Sequence, residues 1–236
     1  GLGKQVSFEA ELVQAKSVVY EANRAMRSFM QDARFGRQID NTAVDEVVAN
    51  ITASVFRNKD ALLTLSRIKT VDQYTFMHSI GVCVLMTAFA RAMDYDDETA
   101  RQISTGALLH DLGKMRVPAE ILNKPGPLTT EEFAEMKRHV EYGAEHLAGF
   151  GWVSEVSMSV VMQHHERIDG SGYPFGLQAD GLSEVGRMSA IVDVYDALTS
   201  NRCYKQAWEP THALGKMLEW SRDHFGEEVA HQFVRC

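Results

Sequence analysis

The sequence predicts an all-α protein, and three features of the chain indicate this. Apolar residues recur at steps of three and four in several long segments, which is the spacing of one face of an α-helix. No segment shows the alternation of apolar and polar residues that marks a half-buried strand. The prolines lie only where a helical pattern has already stopped; they are Pro118, Pro125, Pro127, Pro174 and Pro210.

Residues 1–69 are predicted to form a helical extension or linker ahead of a main domain at 70–236. A long helix is predicted over 8–33, where apolar residues at alternating steps of four and three form a seam for a helical partner. They are Phe8, Leu12, Ala15, Val19, Ala22, Met26, Phe29 and Ala33. A second helix is predicted over 42–57, with a cap formed by Thr42 and Asp45. The width of the apolar stripe favours packing of these helices within the chain, and a homodimer through the first helix is the alternative.

The main domain is predicted to be helical to its end. Helices are expected over 72–93, 96–113, 129–139, 153–165 and 182–199, with two shorter ones starting near residues 211 and 227. The first of these is apolar on most sides, which predicts a central position. The third begins with a capping box of Thr129 and Glu132, and it is expected to present His139.

Composition excludes several classes of protein. The net charge of −8 argues against a nucleic-acid polymer as partner, because such proteins normally carry a basic surface. Cys83, Cys203 and Cys236 have no CxxC spacing and are expected to be free thiols in a reducing compartment. The longest strongly apolar stretch, 80–90, is expected to be too short for membrane insertion. With no visible signal peptide, these features predict a cytoplasmic protein.

Two adjacent histidines, His164 and His165, follow an apolar run and lead into a glycine-rich turn that ends at Pro174. A packed core has no use for this arrangement, whereas a metal site beside a substrate-shaping loop accounts for it. Other histidines on helices that look buried are candidate ligands, since an unpaired buried imidazole costs free energy. They are His78, His110 and His139; we assign ordinary structural or surface roles to His146, His212, His224 and His231.

His110 and Asp111 form a second anchor at a predicted helix end. A carboxylate is the usual bridge between two metals because it has two oxygens, while imidazole supplies terminal ligands. An anion at a helix C-terminus is unfavourable in the helix dipole, so Asp111 needs a cation nearby. Lys114 is one candidate, and a metal would account for His110 as well.

Two motifs resemble those of HD-GYP domains, a subgroup of the HD metal-dependent phosphohydrolases. They are His110-Asp111-Leu112-Gly113-Lys114 and the run His164-His165-Glu166-Arg167-Ile168-Asp169-Gly170-Ser171-Gly172-Tyr173-Pro174. The resemblance covers roughly 70–236 and extends to the segment from Asp193 to Thr199. It implies hydrolysis of cyclic di-GMP to linear pGpG, and optionally on to GMP, by a hydroxide that two metals share.

The resemblance also implies how the ligands pair. One metal would be bound by His78, His110, Asp111 and Asp193, and Asp111 would bridge to a second held by His139, His164 and His165. Family members with a third metal carry a glutamate four residues before the first histidine. Here that residue is Tyr74, so we predict two metals. Iron or manganese is favoured, and nickel, cobalt or zinc also suits these ligands.

Further roles follow from the same resemblance. Asp111 and Lys114 are predicted to be catalytic, with Lys114 holding a phosphate oxygen. The residues predicted to line the substrate site are Lys114, Gly172, Tyr173, Asp196, Arg202 and Lys205, of which Asp196 is expected to orient a metal-bound water or a ligand histidine. The Gly-Tyr-Pro loop is also expected to contact diguanylate cyclase domains. The alternatives are a non-catalytic cyclic dinucleotide sensor and a phosphodiesterase for cyclic GMP-AMP.

Overall fold

The computed structural model describes residues 4–67, 74–200 and 206–236. Within these ranges the chain is helical and contains no strand, so the predicted all-α class is confirmed. The α-helices are α1 (Phe8–Arg34), α2 (Asn41–Ser66), α3 (Tyr74–Ala92), α4 (Asp97–Leu109), α5 (Ala119–Leu122), α6 (Thr130–Lys137), α7 (His139–Ala148), α8 (Glu155–Gln163), α9 (Glu184–Thr199), α10 (Pro210–His224) and α11 (Glu227–Arg235). A 3-10 turn, Leu112–Arg116, joins α4 to α5.

The α1 and α2 helices pack against each other, as the apolar stripe favoured. The core residues of both predicted stripes are buried; they are Ala15, Ala22, Met26, Phe29, Ala33, Val44, Val47, Val48, Ile51 and Val55. α1 also contacts α3 and the 3-10 turn. The extension is therefore continuous with the main core. The predicted boundary between residues 69 and 70 lies outside the described residues.

The predicted cap of α2 is wrong. Asp40, one residue before the helix, is the N-cap, and its carboxylate accepts from Thr42 N at 2.9 Å. α2 also runs beyond its predicted end at residue 57. It is broken at Asn58, where φ is −166° and ψ is 103°. The Asn58 side chain donates to Val6 O and accepts from Asp60 N, so it ties the break to the chain before α1 and caps the second half.

A buried carboxylate joins α1 to α2. Glu11 is 1% exposed, and its oxygens accept from Ser54 Oγ at 2.7 Å and from Arg57 Nε and Nη2 at 2.6 and 2.8 Å. Burial raises the pKa of Glu11, but the hydrogen bonds from Arg57 and Ser54 outweigh burial and hold this pKa below its usual value. The ionised form is therefore the stabilising one.

We expect Glu11→Ala to lower the free energy of unfolding by about 2 kcal/mol at pH 7, because it leaves Arg57 and Ser54 without their acceptor. A carboxyl whose pKa is depressed by folding stabilises the protein above its unfolded pKa, about 4.3 for glutamate. The difference from wild type should thus shrink as the pH falls below that value. Urea unfolding at pH 7 and pH 3.5 measures it. Glu9→Ala, at an exposed neighbouring position, is the control. An equal effect of both variants would show that the bonds of Glu11 to Ser54 and Arg57 do not stabilise the fold.

The central position predicted for α3 is confirmed, because α3 contacts α1, α2, α4 and α9. Its stretch Thr75–Ala92 is long and apolar enough to cross a membrane by length and composition, which corrects the expectation that no segment would be. However, 72% of that stretch is buried inside the fold, as in a core helix. Cys83 on α3 is buried and free, Cys236 is partly exposed and free, and Cys203 lies outside the described residues.

Two further boundaries position the candidate site. The capping box of Thr129 and Glu132 is present, but α6 ends at Lys137. His139 therefore opens α7, which corrects its predicted place on the same helix as the box. α8 ends at Gln163, so the histidine pair follows the helix and is not part of it.

Candidate metal centre

Side chains from α3, α7, α9 and the ends of α4 and α8 meet in the core and form two candidate metal-binding groups. One consists of His78, His110 and Asp111, and the other of Asp111, His139, His164 and His165; in each group the possible ligand atoms lie within 4.8 Å of one another. Asp193 adjoins both groups. The structure thus brings together all seven residues predicted as metal ligands.

Asp111 lies between the two groups, with one carboxylate oxygen toward each. Its Oδ2 is 3.6 Å from His78 Nε2 and 3.5 Å from His110 Nε2. Its Oδ1 is 3.4 Å from His139 Nε2 and 3.9 Å from His164 Nε2. This is the position that a bridging carboxylate requires.

Asp193, on α9, is placed in a similar way. Its Oδ1 lies 2.8 Å from His78 Nε2 and 3.5 Å from His110 Nε2, while its Oδ2 lies 3.7 Å from His165 Nδ1. The resemblance assigned Asp193 to one metal only. In the structure its two oxygens face both groups.

Three histidines are oriented by backbone carbonyls of the helix that precedes them. The Nδ1 atoms of His110, His139 and His164 each bond the carbonyl three residues earlier, at 2.7, 2.8 and 2.8 Å. Each carbonyl belongs to the last turn of a helix, where carbonyls lack the regular bond from the N–H four residues later. The Nδ1–H donates to it, so the electron pair of Nε2 points into the cluster. A helix end thus orients these imidazoles, as a carboxylate bonded to a metal-binding histidine often does.

His78, in the middle of α3, has no free carbonyl and is oriented by a carboxylate instead. Its Nδ1 donates to Asp196 Oδ2 at 2.6 Å. Burial lowers the pKa of His78, but hydrogen bonds to Asp193 and Asp196 outweigh burial and raise it. Asp196 is 2% exposed. Its position fits the orienting role predicted for it and not the direct substrate contact.

The charge states of four candidate ligands suit metal binding. Burial lowers the pKa of His139 to about 4 and that of His165 to about 3, and it lowers the pKa of His164 well below its usual value. These imidazoles are neutral at pH 7, which is the form that binds a metal. Burial raises the pKa of Asp111, but Lys114 and the nearby histidines outweigh burial and hold this pKa well below its usual range. Asp111 is therefore an anion.

Several buried atoms lack the partner that a metal would supply. Among the described residues, His110 Nε2 and Asp111 Oδ1 are buried and have no hydrogen-bond partner. His139 Nε2 and His164 Nε2 lie 3.3 Å apart, and since both rings donate through Nδ1, two electron pairs face each other. Buried polar atoms left in this state are costly. These imidazole nitrogens and carboxylate oxygens form a donor set that suits a divalent transition-metal cation.

Lys114 follows in the 3-10 turn, and its Nζ donates to Asp111 Oδ2 at 2.6 Å. Its side chain is 21% exposed, whereas Asp111 is almost fully buried. The Lys114 side chain therefore reaches from the candidate metal centre toward solvent.

The loop after the histidine pair is held by Glu166, whose role the sequence did not reveal. This carboxylate is 1% exposed, and it accepts from Phe175 N at 2.7 Å and Leu177 N at 2.9 Å. Gly172 packs against the same segment, because a Cβ there would lie 2.5 Å from Glu166 Cα. Its glycine is explained by packing. The ring of Tyr173 stacks on a metal-ligand candidate, His165, with centroids 4.6 Å apart.

We expect Glu166→Gln to loosen this loop. The amide keeps one acceptor but turns an NH2 toward a backbone N–H, which forfeits about 2 kcal/mol. Amide hydrogens of Phe175 and Leu177 should then exchange about 30-fold faster, measured by hydrogen–deuterium exchange, with metal content unchanged. Glu155→Gln, an exposed position at the start of α8, is the control. Unaltered exchange at both amides would show that Glu166 does not hold the loop.

Three residues with predicted roles lie wholly or partly outside the described part of the chain. Arg202 and Lys205 lie outside the described residues, and so does the side chain of Tyr74, on which the choice between two and three metals depends. Their assignments stay predictions.

A family model described as HD domain matches residues 51–229, which is most of the chain. The chain belongs to the HD domain family. The family resemblance predicted from the two sequence motifs is therefore confirmed. The fold of this HD domain is similar to that of an HDG"Y"P protein from Bdellovibrio bacteriovorus, with a TM-score of 0.75 and 17% identity over 94% of this chain and 71% of that one.

Curated relatives extend the similarity beyond the family model. The HD domain and its N-terminal helices are 46% identical to a cyclic di-GMP phosphodiesterase of Pseudomonas aeruginosa over 232 residues, which is 98% of this chain and 56% of that protein. A 3'3'-cGAMP-specific phosphodiesterase of Vibrio cholerae is 37% identical over 152 residues, covering 64% of this chain and 29% of that protein. The chain thus spans about half, or less, of the length of these relatives.

Proposed function

We propose that this HD domain is a metal-dependent phosphodiesterase that hydrolyses cyclic di-GMP to linear pGpG, with further hydrolysis to GMP as a second step. The proposal depends on one observation: the two carboxylate oxygens of Asp111 face two separate groups of imidazoles in a buried centre. The similarity to the P. aeruginosa phosphodiesterase supports the substrate. The retention of all seven ligand candidates weighs against a sensor without activity.

Two divalent metals are proposed, one at each group. Bound there, they would neutralise the phosphate charge and lower the pKa of a water that attacks phosphorus. His78, His110 and Asp193 would hold the first, and His139, His164 and His165 the second, with Asp111 between them. Iron or manganese is the favoured metal at both groups.

The side chains of the HD domain contribute position and charge. The carbonyl bonds of His110, His139 and His164 keep their Nε2 atoms aimed inward, so no reorientation accompanies binding. Lys114, partly exposed beside Asp111, is placed to hold a non-bridging phosphate oxygen, where it favours the more highly charged transition state. Burial of the cluster keeps bulk water away from these charges and so strengthens their effect.

The direct test is turnover of cyclic di-GMP by purified protein reconstituted with Mn(II) or Fe(II), followed by chromatography of pGpG and GMP. We expect turnover with metal and none after chelation. Tight binding of cyclic di-GMP without turnover would support the sensor and overturn the enzyme. Metal analysis of the loaded protein should give two equivalents per chain. Three equivalents would refute the prediction that Tyr74, in place of a glutamate, limits the site to two metals.

A phosphodiesterase for cyclic GMP-AMP is the second candidate, favoured by the V. cholerae relatives specific for that molecule. The two are separated by competing both cyclic dinucleotides at equal concentration and comparing kcat/KM. A preference of tenfold or more for cyclic GMP-AMP would replace the first proposal by this one.

Partners and location are also proposed. A homodimer through α1 would use Val13 and Tyr20, which lie outside the predicted seam and are 75% and 66% exposed, because most of the seam is buried within the chain. Diguanylate cyclase domains would contact the loop at Phe175, which is 54% exposed. A cytoplasmic location fits a cyclic dinucleotide substrate.

A further inference from the structure

One face of α6 carries an aromatic ring and a cation beside the metal centre. Phe133 is 49% exposed, and its ring meets that of Tyr173 edge to face, with centroids 6.4 Å apart. Lys137, one turn later, holds Nζ 5.3 Å from the centroid of Phe133 and 5.7 Å from that of Tyr173. We call Phe133, Lys137 and Tyr173 the α6 wall. Because Tyr173 stacks on His165, the wall begins at a ligand candidate and runs outward to solvent.

The cation of the α6 wall, Lys137, forms no ion pair within the described part of the chain. Within the described ranges no carboxylate lies within 4.0 Å of Lys137 Nζ, whereas neighbouring cations are paired: Lys124 with Glu132, and Arg138 with Glu135. Lys137 is partly buried, and its ammonium lies over two ring faces. Ring faces attract a desolvated cation, but they are not strong hydrogen-bond acceptors. A ligand with acceptor atoms at this point would complete its hydrogen bonds.

We propose that the α6 wall binds a guanine base of the substrate, an inference that rests on the proposed function. The ring of Phe133 would stack on the base, since every base presents a flat π face to an aromatic side chain. Lys137 would donate to O6 and N7, the two acceptors on one edge of guanine. Adenine presents a donor, the 6-amino group, where guanine has O6. Lys137 is therefore the residue that discriminates guanine from adenine.

The place of the wall agrees with the shape of the ligand. In a cyclic dinucleotide each base is attached through one ribose to a phosphate, so a base-binding surface must adjoin the phosphate site. The wall meets this condition through Tyr173 and His165. Lys137 also lies two residues before His139, so the end of α6 adjoins the start of α7, which carries a candidate ligand.

Binding of non-hydrolysable phosphorothioate analogues, measured by calorimetry or competition, tests the assignment. We expect Lys137→Met to weaken the cyclic di-GMP analogue about tenfold, or about 1.4 kcal/mol, and to change the cyclic di-AMP analogue less than twofold. Phe133→Ala should weaken both about tenfold. The controls are Arg138→Met, which removes the adjacent paired cation, and Phe35→Ala, which removes an exposed ring at the end of α1. Equal weakening of both analogues by Lys137→Met would assign Lys137 to phosphate and overturn the proposal.

Kinetics separate this proposal from the function on which it rests. For cyclic di-GMP, Lys137→Met and Phe133→Ala should raise KM about tenfold and keep kcat within threefold. Absence of cyclic di-GMP turnover in the wild type would overturn the proposed function, whereas wild-type turnover with unaltered KM in both variants would overturn the α6 wall alone.

Discussion

Asp111→Asn should lower kcat/KM for cyclic di-GMP at least about 1,000-fold, which corresponds to about 4 kcal/mol of transition-state stabilisation. Asparagine has nearly the same shape, but its amide offers one neutral oxygen and an NH2. It cannot present an anionic oxygen to both groups, as the 3.5 Å and 3.4 Å approaches of Asp111 to His110 and His139 require. The variant also leaves Lys114 without its buried partner.

Metal content distinguishes loss of the bridge from a general loss of structure. We expect the Asp111→Asn protein to retain its helical circular dichroism and to bind at least one equivalent of metal fewer than wild type. Asp45→Asn, which removes an exposed carboxylate paired with Arg101, should keep activity and metal content within twofold. Full metal content and activity in Asp111→Asn would show that Asp111 does not bridge.

The candidate ligands were predictable from sequence because their chemistry is rare. Two adjacent histidines before a glycine turn, and a carboxylate at a helix end, have few purely structural uses. Glu166 was not predictable in the same way. A single glutamate after His165 looks like a surface residue, and only the folded chain shows that the backbone of Phe175 and Leu177 turns back to it.

The helices were also predictable, but not all of their ends. The apolar stripes of α1 and α2 identify both helices, since their period is local information. The break at Asn58 is not local: it is accompanied by a contact with Val6, 52 residues away in sequence. The separation of α6 from α7 is likewise invisible in the apolar pattern. It places His139 beyond the end of α6, where its ring donates to the Met136 carbonyl.

The close approach of the 3-10 turn to α7 leads to the second large effect. A Cβ built at Gly113 would lie 1.9 Å from His139 O and 2.4 Å from Gly143 N, both of which are backbone atoms. Neither can move without shifting the start of α7, so glycine is required at this crossing. The same crossing fixes the distance between Asp111, two residues earlier, and His139.

We expect Gly113→Ala to lower the free energy of unfolding by about 3 kcal/mol, since overpacking against backbone cannot be relieved by a rotamer change. For a chain of this size that corresponds to a fall in Tm of roughly 6–12 °C, measured by calorimetry. Displacement of His139 should also remove metal from the second group before the first. Metal analysis of the variant below its Tm should therefore show a deficit of about one equivalent.

Gly126→Ala is the matched control, because a Cβ at Gly126 meets no atom within 4 Å. We expect it to change the free energy of unfolding by no more than about 0.5 kcal/mol and to leave metal content unaltered. If Gly113→Ala were as stable as Gly126→Ala, the crossing would be able to open without cost. The spacing of the two ligand groups would then depend on the metals themselves and not on the packing of α7 against the 3-10 turn.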